Sequence, residues 1–228
     1  MNTKSVRSQK IKKITFIAIF CAMSYICSII FPIKVMFLTL DFKDAVSIMC
    51  GMFFGPSAGL FCAIVVPFIE MITSDTGFYG LIMNILSSVT LVGISTLVYK
   101  YKKTIFGAVL GLASAAFATV AVMMLANLFI TPFYMGVKTE EVVALIPKVI
   151  LPFNVVKVIL NASISMLLYK PISTVLKKAG VAKSFGSDDL QTENVKINKK
   201  HSVLVAVISG ITVIGAFVVL FAVLGGKI

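Results

Sequence analysis

Apolar runs of about 18 residues or more recur along this chain, and no other feature limits its fold as strongly. Coiled at roughly 1.5 Å per residue, such a run matches the ~30 Å hydrocarbon layer of a bilayer. A helix satisfies its own backbone hydrogen bonds there, where water cannot. The composition agrees: 59% of the 228 residues are hydrophobic, 13% are charged, and the mean hydropathy is +1.04. A soluble domain carries about 25% charged residues. The chain therefore reads as an all-α integral membrane protein.

The net charge of +12 falls mostly at the ends of the apolar runs, as membrane orientation requires. No basic patch interleaved with aromatics is present, so nucleic acid is excluded as a partner and membrane lipid is expected. Cys21, Cys27, Cys50 and Cys62 all lie inside apolar runs without CxxC spacing. They read as small buried hydrophobes, neither disulfides nor metal ligands. The opening "MNTKSVRSQKIKK" places five basic residues before an apolar run. No A-x-A site closes that run, so it reads as an uncleaved first helix.

The expected helices run from about Ile14 to Phe31, Ala45 to Phe54, Leu60 to Thr73, Leu81 to Tyr99, Ile105 to Ile130, and Pro152 to Tyr169 or Lys177. "PIKVMFLTLDFKD" reads as a loop, "GPSAG" (55–59) as a turn broken by Gly and Pro, and residues 132–148 as a longer loop. A polar segment follows, and "VLVAVISGITVIGAFVVLFAVL" predicts a seventh crossing. This divides the chain into a six-helix membrane domain (1–178), a polar cytoplasmic linker (179–200) and an additional transmembrane helix (201–228). Lys and Arg are rich at the N-terminus, in "KYKK" and in the linker, and sparse in the alternate loops. The N-terminus is thus expected in the cytoplasm of a multi-pass cell-membrane protein, with loops 32–44, 74–80 and 132–148 outside.

Against this map the intramembrane polar residues converge. Glu70, Asn84, Asn127, Asn154 and Lys157 come from different helices, with Asp41 and Asp44 in or beside the first outer loop. All fall in the outer third of the membrane, and such residues are costly there unless they act. In "LPFNVVKVILN" (151–161) Asn154, Lys157 and Asn161 are spaced i, i+3, i+7, on one helical face. Pro152 suits a first helical turn, and the positive end of the helix dipole would lie beside it. A plainer reading stands beside this one. Lys157, about 8 Å deep, could snorkel to the interface or pair with Glu70, and a single Asn often serves as helix-packing glue.

Amides and one lysine among Phe and Met suit a flat, mostly neutral heterocycle, because each Asn offers both a donor and an acceptor. The only histidine is His201, and no HExxH, P-loop or Gly-rich nucleotide fingerprint occurs. No catalytic residue, metal ligand or cofactor is expected. With no ATPase domain and no internal repeat, the chain reads as a membrane-embedded binder that needs another protein to supply work.

Four segments carry a family likeness: "AIFCA" with Ala18 and Ala22, "FLTLDFKD", "ANLFITPFYMG" and "PFNVVK". Across roughly residues 10–178 the chain resembles the substrate-binding S components of energy-coupling factor (ECF) vitamin transporters, and more narrowly the riboflavin-specific ones. The resemblance implies a six-helix bundle with a riboflavin pocket near the outer surface. It also implies flavin contacts from Asn127, Asn154 and Lys157, and cover from Leu38, Thr39, Leu40 and Asp41. Ala18 and Ala22 would dock a transmembrane coupling subunit, itself joined to two ATPase subunits. Riboflavin would be transported substrate, not cofactor. An S component for another vitamin or flavin, and a ligand-free structural subunit, remain the alternatives.

Overall fold

In a computed structural model, residues 3–30, 32–74, 76–178 and 207–218 are described. The first apolar run coils into α1 (Thr3–Ile30), and the expected outer loop is instead a small hairpin, β1 (Ile33–Val35) and β2 (Leu38–Leu40). The strands are antiparallel, with Ile33 opposite Leu40 and Val35 opposite Leu38. Met36 makes the tight reversal at φ 53°, the one non-glycine residue with positive φ among the described residues. That conformation costs a residue with a Cβ roughly 1–2 kcal/mol. Val35 and Leu40, both fully buried, anchor the hairpin from its inner face.

α2 (Lys43–Phe54) is only 12 residues long, and all but Met52 are buried. A helix of about 18 Å cannot cross the hydrocarbon layer alone, and one that is apolar all round belongs inside a bundle. α1, α3, α4 and α7 surround it. α2 therefore carries its N-terminal charges, Lys43 and Asp44, into the protein interior. The chain reverses at Gly55 (φ 98°), and α3 (Pro56–Glu70) starts at once with Pro56 in its first turn. The break is thus narrower than the "GPSAG" turn expected from sequence. α2 and α3 then approach backbone to backbone: a Cβ built on Gly59 would lie 2.8 Å from Gly51 Cα. Small residues at such crossings let helices pack by close dispersion contact.

α4 (Gly77–Tyr101) and α5 (Ile105–Met135) are long apolar helices joined by the lysine-rich link. Thr104 caps α5, its Oγ1 accepting from Gly107 N at 3.0 Å, and Gly136 ends it in the left-handed region. The expected 132–148 loop is mostly helical. α5 runs on to Met135, α6 spans Thr139–Leu145, and one π-helical turn, Ile146–Ile150, leads straight into α7 (Leu151–Lys178). Pro147 and Pro152 explain the π turn. Neither has an N–H to give, and the Pro152 ring would crowd the carbonyl four residues back in a regular helix. Widening the turn relieves that contact. Pro152 consequently does not begin a helix, and the dipole and depth arguments built on a helix start there fall.

Among the described residues, four helices are long and apolar enough to cross a membrane: Arg7–Ile30, Gly77–Tyr101, Ile105–Met135 and Thr139–Leu176. A further apolar helix, α8 (Val207–Val218), packs Val213, Ala216 and Phe217 against the hairpin and the start of α7. The 179–200 linker and the remainder of the seventh run lie outside the described residues.

Candidate functional site

One end of the bundle holds a cavity of about 430 Å³. Its walls come from the ends of α1 and α3, the beginning of α4, the last turns of α5, the first turns of α7, and the hairpin. These are the segments whose polar residues the sequence places at one level. Seven of the expected site residues line it: Leu38, Thr39, Glu70, Asn84, Asn127, Asn154 and Lys157.

The amides are oriented by their own helices. Asn154 donates through Nδ2 to Ile150 O at 2.8 Å, and Asn127 donates to Met123 O at 2.8 Å. Thr131 Oγ1 donates to Asn127 Oδ1 at 2.9 Å. Each side chain is thereby held in one rotamer at the cavity wall, which lowers the entropy a ligand contact must overcome. Also lining the cavity, Phe37, Tyr134 and Tyr79 form an aromatic row, with centroids 6.4 and 6.3 Å apart. Such a row offers faces and edges to a planar ring.

Leu40 and Asp41 take other places. Leu40 points away from the cavity into the apolar cluster with Val149, Phe153 and Leu160. Asp41 lies beneath the floor, 1% exposed, where it organises charge. Lys157 Nζ donates to Asp41 Oδ2 at 3.0 Å and to the Thr39 carbonyl at 3.2 Å. Lys43 Nζ stands 3.4 Å from the same carboxylate oxygen and also donates to Glu70 Oε2. Asn84 Nδ2 reaches Glu70 Oε2 at 3.4 Å. Lys157 therefore pairs with Asp41, and Glu70 with Lys43. Burial pushes the Asp41 carboxyl up, but the ammonium groups of Lys157 and Lys43, with their hydrogen bonds, more than offset this and hold it at about 2.

Asn161, third on the polar stripe, does not reach the cavity. Its Oδ1 accepts from Ala45 N at 2.9 Å, and its Nδ2 donates to the carbonyls of Asp41 at 2.9 Å and Lys157 at 3.0 Å. It fastens α7 to the N-terminus of α2 and satisfies an N–H that α2 cannot.

Sequence reasoning missed Lys43, which is 1% exposed and central to the charge network. The available signal was a lysine between two aspartates at the mouth of an apolar helix. It missed Asp44 as a site residue too. Ser88 donates to Asp44 Oδ1 at 2.5 Å, while Asp44 Oδ2 has no partner. Ala18 and Ala22 are both exposed on α1, whereas Phe20, Cys21 and Ser24 are buried. Their shared face is therefore not used for packing inside the bundle.

Residues 12–169 match the family described as ECF transporter, substrate-specific component. The riboflavin transporter RibU of Staphylococcus aureus (strain TCH60) is 27% identical over 184 residues, covering 77% of this chain and 97% of that protein. A solved structure described as "Structure and mechanism of the S component of a bacterial ECF transporter" aligns with a TM-score of 0.64 at 27% identity, over 74% of this chain and 99% of its own.

Proposed function

This chain belongs to the family of substrate-specific components of ECF transporters, and from that membership we propose that it captures riboflavin at the outer face of the cell membrane for import. The observation that carries the reading is the cavity itself. The helix-held amides of Asn127 and Asn154 and the side chain of Lys157 line it together with an aromatic row. A flavin presents alternating N–H and C=O groups along one edge of a flat ring, and Asn side chains complement both. The likeness to RibU supports the same ligand.

The N-terminus lies in the cytoplasm in this reading, because the basic segments flank α1 and join α4 to α5. Import is driven by partners: a transmembrane coupling subunit and two ATPase subunits. The exposed Ala18 and Ala22 give α1 a shallow face that another membrane helix can approach closely. The chain acts as a binder and carrier, not an enzyme. Residues 1–178 are the binding unit in this reading.

Purification in detergent tests the ligand. The protein should leave the column yellow, with flavin absorbance at close to one per chain. A colourless protein that neither quenches nor shifts added riboflavin fluorescence would sink the reading and favour another vitamin.

A further inference from the structure

Five ionisable groups meet at and beneath the cavity floor, and their charges do not balance. The acids are Asp41 at the hairpin exit, Asp44 on α2 and Glu70 on α3. The bases are Lys43 on α2 and Lys157 on α7. Lys157 is taken by Asp41, and Lys43 is shared between Asp41 and Glu70. Asp44 has neither lysine in contact range, and its one partner is the Ser88 hydroxyl. Oδ2 of Asp44 is the only buried side-chain nitrogen or oxygen without a hydrogen-bond partner among the described residues. The residue is 1% exposed.

An ionised carboxylate in this position would be a buried charge with half its acceptor capacity unmet, which is among the costliest arrangements a protein interior can hold. The N-terminus of α2 does little to offset it. The nearby N–H groups of Lys43 and Ala45 are already given to Asp41 Oδ1 and Asn161 Oδ1. A neutral acid removes the difficulty. In the neutral acid the hydrogen bond with Ser88 reverses, Oδ1–H donating to Ser88 Oγ, and Oδ2 becomes an uncharged carbonyl oxygen.

We propose that Asp44 is a proton-binding site, and that the folded protein takes one proton from solvent to leave the cavity floor with two positive and two negative charges. The charged groups facing it are the four already named, from the hairpin exit, α2, α3 and α7; α4 brings Ser88. Loss of the proton adds an unmatched negative charge beside Lys43 and Lys157. Lys157 also holds the Thr39 carbonyl of the hairpin, so the proton helps keep the hairpin seated over the cavity.

The test compares the full chain with Asp44→Asn, reconstituted in lipid nanodiscs without ligand. Asn keeps the shape and can donate to Ser88. At neutral pH the infrared spectrum of the wild type should contain the carbonyl stretch of a protonated carboxylic acid, shifted in D2O and missing in Asp44→Asn. The variant should melt at or above the wild-type temperature. Because the native state holds a proton that the unfolded chain releases, wild-type stability relative to the variant should fall about tenfold in unfolding constant per pH unit above the ordinary carboxyl range. An ionised Asp44 gives the opposite: no such band, and no widening of the stability difference with pH. Either result overturns the proposal. None of these readouts requires riboflavin to be the ligand, so they stand or fall apart from that reading.

Discussion

Lys157 on α7 and Asp41 at the exit of the hairpin form an ion pair at 3.0 Å, joining residues 116 positions apart in the chain. Both are buried, and the same ammonium holds the Thr39 carbonyl. The pair therefore ties the covering hairpin to the helix that carries the cavity amides. Removing one partner strands the other: breaking a buried pair costs roughly 3–5 kcal/mol, well above the value of an exposed pair. Asp41→Asn should accordingly lower the melting temperature strongly and weaken ligand binding together.

The pH dependence of this pair has a definite sign. Asp41 is held at about 2, below its ordinary value of 3.8. A depressed carboxyl contributes stability that is complete above the unfolded value and is lost as pH falls toward 2. The contribution, on the order of 2 kcal/mol for a shift of this size, should thus be constant between about pH 5 and 8. Measured in an Asp44→Asn background, where the neighbouring carboxyl cannot titrate, melting with and without Asp41→Asn should show no slope from this pair in that range. A slope near neutrality there would mean that the carboxylate is not ion-paired as the geometry has it.

Asn154→Leu is the cleanest probe of the cavity wall. Its amide bonds only its own helix, through Nδ2 to Ile150 O, so the change leaves the charge network intact. A ligand group desolvated against leucine loses its partner, at about 1–3 kcal/mol, or roughly 5- to 150-fold in affinity. Riboflavin fluorescence titration reads this directly, and unchanged affinity would remove Asn154 from the site. Lys157→Met should weaken binding too, but it also strands Asp41 and will cost stability.

Ionic strength should hardly matter to riboflavin binding. The vitamin is neutral, and screening acts on charge pairs between exposed groups. The charges of Asp41, Lys43, Glu70 and Lys157 at the cavity are paired and mostly buried. Dissociation constants measured in low and high salt should agree within about twofold. A strong, salt-sensitive preference for a phosphorylated flavin would contradict the neutral-ligand reading.

Ala18→Trp with Ala22→Trp separates folding from assembly. Both positions are exposed on α1, so the double variant should express, fold and bind riboflavin as the wild type does. It should fail to copurify with the coupling subunits and fail to support uptake. Normal uptake would remove this face from the docking surface.

The sequence by itself determined the class of protein and the level of the site. Long apolar runs admit little but helices in lipid. Polar residues too costly to be idle marked one end each of α3, α4, α5 and α7, and Glu70, Asn84, Asn127, Asn154 and Lys157 do line one cavity. What it could not determine was who pairs with whom. The sequence offered Glu70 as the partner of Lys157, and only the burial of α2 at the bundle centre brings Lys43 to Glu70 and leaves Lys157 to Asp41. Asn161 shares a helical face with Asn154 and Lys157, yet it bonds the start of α2 and never meets the cavity. The hairpin and the π turn before α7 were likewise invisible. Helical periodicity reports which residues share a face, but a hydrogen bond needs two groups within about 3 Å. That distance is set by how close the backbones approach, as at Gly51 and Gly59, and closeness of this kind exists only once the helices have packed.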